Sequence, residues 1–86
     1  MTFMDICKRL NDLYEAKNAD YGNAYARLRE DYPMSICWRL TDKLYRLETL
    51  FLNGKAVVKD ESLDDTLMDI ACYAILELLE RANNED

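Results

Sequence analysis

The near absence of the two residues that most often interrupt regular backbone is the strongest constraint on this chain. Only 2 glycines and 1 proline occur among 86 residues. Because turns and sheet corners depend on glycine and proline, this scarcity disfavours a loop-rich or all-β fold, and it also disfavours a glycine-rich phosphate loop. A chain this short has room for one compact domain. We therefore expect a single all-α domain over residues 1–86.

Apolar residues at three- and four-residue spacings predict three main helices. The boundaries follow from capping and turn-forming residues, and give helices from Thr2 to Ala16 or Lys17, from Pro33 to Asn53–Gly54, and from Ser62 to a frayed polar tail at residues 83–86. A weaker pattern between Asn23 and Tyr32 predicts a short helical piece, and residues 17–22 are interpreted as a connector.

The central helix has the most regular apolar stripe. Its predicted members are Ile36, Leu40, Leu44, Leu47 and Phe51. Hydrophobic residues make up 50% of the chain, which is more than a three-helix unit of this size hides. We therefore expect the small bundle to be completed by self-association into a dimer or a larger homo-oligomer.

Composition also excludes several classes of function. A formal net charge of -6 argues against binding to duplex nucleic acid or to an anionic membrane. The chain has no histidine, which removes His-based nucleophile activation and His-containing zinc sites. The 3 cysteines lie in apolar surroundings typical of reduced core thiols, and no export signal is recognisable, so we expect a cytoplasmic protein.

Charged residues at helical spacing form two ridges. The basic ridge on the central helix comprises Arg39, Lys43 and Arg46. The acidic ridge on the last helix comprises Glu61, Asp65 and Asp69 and continues to Tyr73 and Glu77. A short connection between the two helices would place them antiparallel and side by side, so that Asp65 and Asp69 face the cations.

Three interpretations of the ridges remain open. They pair with each other as salt bridges, their carboxylates hold Mg²⁺, or their cations bind a phosphate directly. The connector offers a further candidate, in which Lys17 meets an anion, Asp20 caps a turn and Tyr21 stacks on a ring. Alternatively, the same residues serve turn geometry and packing alone.

Three blocks in order along the chain resemble the small nucleotide modification associated domain that is found widely in phages and prophages. They are Lys17-Asn-Ala-Asp-Tyr-Gly22, Lys43-Leu-Tyr-Arg46 and the segment from Asp60 to Tyr73. The resemblance covers about residues 17–79. It implies a helical, usually oligomeric, nucleotide-handling protein that is similar to the all-α MazG-like nucleotide pyrophosphatases.

The same resemblance implies where a metal site would lie. MazG-like enzymes hold Mg²⁺ with a Glu-x-x-Glu pair on one helix and a Glu-x-x-Asp pair on the next. Asp69 before Tyr73 resembles the end of the second motif, but Thr66 occupies the position three before it and Asp65 lies one residue further. Lys43 and Arg46 stand where the first pair is expected. Cations there repel Mg²⁺ and attract phosphate.

The sequence therefore predicts binding of a phosphorylated nucleotide without turnover and without a cofactor. The predicted ligand-binding residues are Lys17, Asp20, Tyr21, Arg39, Lys43, Arg46, Asp69 and Tyr73. The alternative is a Mg²⁺-dependent pyrophosphatase with Asp65 and Asp69 as catalytic residues, and with Glu48, Glu61, Asp65 and Asp69 as metal ligands. A second alternative is a structural helical interaction module.

Overall fold

The computed structural model describes residues 1–21, 23–54 and 62–84, with the side chains of residues 19–21 left aside. Within these ranges the chain forms four helices and no strand. They are α1 (Phe3–Tyr21), α2 (Ala24–Asp31), α3 (Ser35–Asn53) and α4 (Leu63–Asn83). The prediction of an all-α chain with three main helices and one short helical piece is confirmed.

Two helices begin with the reciprocal hydrogen bonds of a capping box, at the two places where the sequence predicts capped helix starts, Thr2 and Ser62. Before α1, the Asp5 amide donates to Thr2 Oγ1 and the Thr2 amide donates to Asp5 Oδ2. Before α4, the Asp65 amide donates to Ser62 Oγ, and the Ser62 amide donates to Asp65 Oδ2. Each box satisfies backbone donors that a helix start otherwise leaves without a partner.

The first helix is longer than predicted. It continues through Tyr21, so most of the segment interpreted as a connector is helical. The segment contains no helix breaker before Gly22, and Ala16, Lys17 and Ala19 all favour helix. The extension places Lys17 on the last full turns of α1 rather than in a loop. Gly22 itself lies outside the described residues.

The boundaries of α3 are close to those predicted. It begins at Ser35, after a turn that contains Pro33, and ends before Gly54. Gly54 has φ 78°, and its amide donates to the Leu50 carbonyl. Only glycine adopts this left-handed conformation readily, which explains the helix end. The connection at residues 55–60 lies outside the described residues.

Part of the predicted apolar stripe of α3 is wrong. Ile36, Leu40 and Leu47 are half-buried, but Leu44 is 54% exposed and Phe51 is 67% exposed. Helix α3 packs mainly against a single neighbour, α4, so a wide apolar arc leaves one edge uncovered. The cysteine prediction needs a similar correction, since Cys7 and Cys72 are half-buried but Cys37 is exposed.

Helices α3 and α4 run antiparallel, as predicted. Lys43 pairs with Asp69, and Arg39, one turn earlier on α3, lies against Tyr73, one turn later on α4. The core is small, since among the described residues only Leu10 and Tyr25 are buried apolar side chains. The radius of gyration is 14.1 Å, whereas a compact domain of this length has about 12 Å. None of the described helices is both long and apolar enough to cross a membrane.

Candidate functional site

One carboxylate on α4 joins three helices. Asp69 Oδ1 lies 3.0 Å from Lys17 Nζ of α1, and Asp69 Oδ2 lies 3.0 Å from Lys43 Nζ of α3. The side chain of Lys43 is 15% exposed, whereas that of Lys17 is 46% exposed. Both lysines and Asp69 are predicted site residues, and the fold brings them together. The predicted pairing of the two ridges is confirmed at Lys43 and Asp69.

The two ammonium groups keep Asp69 charged. Burial alone would raise the pKa of this carboxyl, but the hydrogen bonds from Lys43 and Lys17 outweigh burial and lower it below its ordinary value. Burial opposes charge on Lys17 as well, yet its hydrogen bond to Asp69 and the attraction between their charges raise the Lys17 pKa. The site therefore holds one anion between two cations at neutral pH.

Arg39 lies beside a stacked pair of tyrosine rings and contacts both. Its guanidinium carbon is 5.2 Å from the centre of the Tyr25 ring and 5.1 Å from the centre of the Tyr73 ring. The two ring centres are 6.2 Å apart with planes inclined by 27°. The electron-rich ring faces attract a cation at these distances. Within the described part of the chain, the buried Nε of Arg39 has no hydrogen-bond acceptor.

A second polar cluster joins Tyr25 and Arg29 of α2 to Glu77 of α4. Arg29 donates to both carboxylate oxygens of Glu77, with Nε 3.0 Å from Oε1 and Nη2 3.1 Å from Oε2. The Tyr25 hydroxyl donates to Glu77 Oε1 at 2.9 Å. The hydrogen bonds from Arg29, with a further contribution from Tyr25, lower the pKa of Glu77. Burial, reinforced by the bond to Glu77, raises the pKa of Tyr25.

The sequence did not identify Tyr25 and Arg29 as members of a site. Their shared partner, Glu77, lies 52 and 48 positions further along the chain. One available signal was the spacing of four residues between Tyr25 and Arg29, which places both on one face of α2. That face meets α4, where Glu77 continues the predicted acidic ridge.

Asp69, its two lysines, Arg39 and the tyrosine pair line a cavity of about 400 Å³ between the helices. Its charged lining residues are Lys17, Arg39, Lys43, Asp69 and Glu80, and its aromatic lining residues are Tyr14, Tyr25 and Tyr73. Among the lining residues that the structure describes, three cations therefore face two carboxylates, although the whole chain carries a net charge of -6. A local excess of positive charge in an acidic protein favours an anionic ligand at this position.

Other predicted residues lie elsewhere. The Arg46 side chain is 47% exposed, with Nε 3.5 Å from Asp42 of the same helix, and it is not among the side chains that line the cavity. Asp65 was expected to face the cations, but its carboxylate is occupied by the Ser62 cap, including a 2.7 Å bond from Ser62 Oγ. Glu48 is exposed on α3.

Three predictions fall on residues that the structure does not describe. Glu61 lies outside the described ranges, and so do the side chains of Asp20 and Tyr21. Their predicted roles stay predictions.

The described carboxylates do not fit the Mg²⁺ site that the resemblance implies. Among the side chains that the structure describes, no group of three or more acidic or cysteine residues lies close enough to hold a metal ion. Asp69 already has an ammonium group on each oxygen. A divalent cation there would meet Lys17 and Lys43, which repel it.

A protein-family profile matches most of the chain. The sequence profile of nucleotide modification associated domain 1 matches residues 17–80, well over half of the chain. The matched range includes all four helices in whole or in part and every charged residue of the cavity lining. Neither a curated protein nor a solved structure shows significant similarity to the chain.

Proposed function

Since the chain belongs to the family of nucleotide modification associated domain 1, we propose that it binds a phosphorylated nucleotide in the cavity between its helices and releases it unchanged. The observation that carries the proposal is Arg39, a cation in the cavity wall that is held by two aromatic rings instead of a carboxylate. Its guanidinium is charged and positioned, so a phosphate gains charge-assisted hydrogen bonds there.

The lysines supply the remaining positive charge. Lys43 is mostly buried and Lys17 is half-exposed at the cavity, and both share Asp69. A phosphate that approaches them meets two ammonium groups whose charge one carboxylate only half balances. The volume of about 400 Å³ falls within the 300–1,000 Å³ that is usual for small-molecule sites.

Aromatic groups favour a nucleotide over a simple anion. Tyr14, Tyr25 and Tyr73 line the same cavity as the cations. A nucleobase has a flat π-face that stacks on tyrosine. In this arrangement the phosphate lies at the cations, and the base or sugar lies at Tyr73.

Binding without turnover follows from the state of the carboxylates. Asp69, the acid nearest the proposed phosphate, is stabilised as an anion by Lys17 and Lys43. A carboxylate with a lowered pKa is a weak general base at neutral pH. Asp65 is engaged in the helix cap. Capture of a nucleotide or of a nucleotide-derived signal in a phage setting requires no hydrolysis.

Two further parts of the proposal concern architecture. We infer a helix arrangement similar to that of the MazG-like pyrophosphatases, with a different use of the site, and a cytoplasmic homo-oligomer. Support for association comes from the small core of Leu10 and Tyr25, set against many exposed large apolar side chains.

Calorimetric titration with a panel of nucleoside mono-, di- and triphosphates, with and without Mg²⁺, tests the proposal. At least one nucleotide is expected to bind, and Lys43→Met is expected to weaken it about 10- to 100-fold, which corresponds to one charge-assisted hydrogen bond. The matched control is Arg27→Met, at an exposed position of α2, and it should leave the affinity unchanged.

The same experiment separates the alternatives. Binding that requires Mg²⁺ and is followed by release of pyrophosphate would replace the proposal by the pyrophosphatase. No binding by any member of the panel, with Lys43→Met lowering only the stability, would leave the structural interaction module.

A further inference from the structure

The outer face of α3 carries two rows of exposed apolar side chains. One row is Cys37, Leu44 and Phe51, and the other is Trp38, Tyr45 and Leu52. Residues within each row are seven apart, about two helical turns, so each row stays on one side of the helix. The larger five are between 54% and 79% exposed. Such a face is wider than the scattered apolar residues of an ordinary surface.

The two threonine hydroxyls on and beside this face are hydrogen-bonded within the helix. Thr41 Oγ1 donates to the Cys37 carbonyl at 2.7 Å, and Thr49 Oγ1 donates to the Tyr45 carbonyl at 3.0 Å. Their donors are satisfied within the helix, as is common for threonine in helices that pack against other helices. By helical position, Glu48 is the charged residue between the two rows. The face is therefore suited to burial along most of its length.

We propose that a second copy of this chain docks on the outer face of α3. The area is sufficient: the exposed parts of six side chains amount to roughly 600–800 Å², close to the 800 Å² per partner of a standard stable interface. The two seven-residue rows also match a copy of themselves, since helices that pack lengthwise interdigitate at this repeat.

A copy is a better occupant than an occasional partner because the chain lacks a large core of its own. Leu10 and Tyr25 are the buried apolar side chains within the described ranges, and the radius of gyration of 14.1 Å exceeds that of a compact domain. A surface that must be covered for stability needs a partner that is always present. Self-association supplies one whenever the chain is made.

Docking at this face leaves the cavity open. Arg39 and Lys43 lie on the side of α3 that meets α4 and the cavity, away from the two rows. The inference rests on the homo-oligomer of the proposed function, whose interface it names, and is independent of the proposed nucleotide binding. Either one can fail while the other holds.

Light scattering after size-exclusion chromatography tests the interface. The chain has a mass of 10.1 kDa, and the native particle is expected to have at least twice that mass at micromolar concentration. Tyr45→Glu places a charge in the middle of the face and should weaken association at least about thirtyfold, as loss of an interface hot spot does. The matched control is Phe3→Glu, at a side chain that is 86% exposed on α1, and should leave the mass unchanged.

Cys37 reports on the face directly. Alkylation followed by peptide mass spectrometry should label Cys37 slowly in the native protein and much faster in Tyr45→Glu. The milder variant Leu52→Ala should give an intermediate rate, and circular dichroism should show that helices persist in both variants. A native mass of 10.1 kDa would overturn the proposal. So would an oligomer whose mass and Cys37 labelling do not respond to either variant.

Discussion

The guanidinium carbon of Arg39 lies 5.1 Å from the centre of the Tyr73 ring, and the Tyr25 ring flanks it at a similar distance. This relationship distinguishes Arg39 from Lys43, whose ammonium group is paired with Asp69. Aromatic faces stabilise a cation without neutralising it. The cavity wall therefore presents a positioned positive charge that an anion can still use.

The shape of the Arg39 side chain, and not its charge alone, should matter for nucleotide affinity. Arg39→Lys keeps the charge but loses the planar group that contacts both tyrosine rings and can form paired hydrogen bonds with phosphate. We expect an affinity loss of about tenfold, measured by calorimetric titration. Arg27→Lys, on the exposed surface of α2, should have no effect. Equal affinities for Arg39→Lys and the native protein would remove Arg39 from the site.

Acid should destabilise the protein through Asp69. Its pKa in the folded state is below the ordinary value of 3.8, so its contribution is present above about pH 4 and is lost as the pH falls through the lowered folded value. Guanidinium unfolding at pH 7, 5 and 3 should show this loss in the native protein. Asp69→Asn should be less stable at pH 7 and should show a shallower decline. The exposed control Asp12→Asn should follow the native curve.

The hydroxyl of Tyr25 should contribute to stability more than to binding. Tyr25→Phe retains the ring beside Arg39 but removes the 2.9 Å hydrogen bond to Glu77. Because Arg29 still satisfies Glu77, the free energy of unfolding should fall by only about 1 kcal/mol. Urea denaturation measures the loss, and Tyr14→Phe on α1 is the control. A loss of nucleotide affinity with unchanged stability would instead assign the hydroxyl to the ligand.

Nucleotides should be recovered intact. The protein is incubated with nucleoside triphosphates, dinucleotides and cyclic nucleotides in Mg²⁺ or Mn²⁺, then denatured, and the ligands are separated by chromatography. We expect stoichiometric binding with full recovery, because Asp69, the carboxylate nearest the proposed phosphate, is paired with Lys17 and Lys43. Multiple turnovers that Asp69→Asn abolishes would contradict this expectation and assign Lys43 to the leaving phosphate.

Local features of the fold were predictable because they depend on neighbouring residues. The Ser62 and Asp65 capping box needs only a spacing of three, and the end of α3 needs only Gly54. The predicted end of α1 is too early because turn-forming residues such as Asn18 lie among residues that favour helix. Here helix-forming and turn-forming residues compete within one short segment, and the helix formers determine its structure.

The candidate site was predictable only where two helices adjacent in sequence pack antiparallel. Lys43 and Asp69 lie on adjacent antiparallel helices, so their ridges meet once the connection is short. The cluster of Tyr25, Arg29 and Glu77 depends on how a short helix of weak periodicity lies against α4. Sequence spacing carries no information on that angle. The exposure of Leu44 was likewise hidden, because periodicity gives the width of an apolar face but not how much of it a neighbour covers.

Asp69 makes the proposed ligand a competitor of the protein itself. The carboxylate holds α1 through Lys17 and α3 through Lys43, and an incoming phosphate needs the same ammonium groups. Each ammonium group retains N–H donors that Asp69 does not use, so what the ligand and Asp69 share is the attraction of the same two positive charges. An anion with a single negative charge attracts the two ammonium groups little more than Asp69 does, whereas a more highly charged anion attracts them more strongly than the carboxylate. If the proposed ligand binds there, one shared aspartate makes the site selective for the ligand's charge number without a further residue for that purpose.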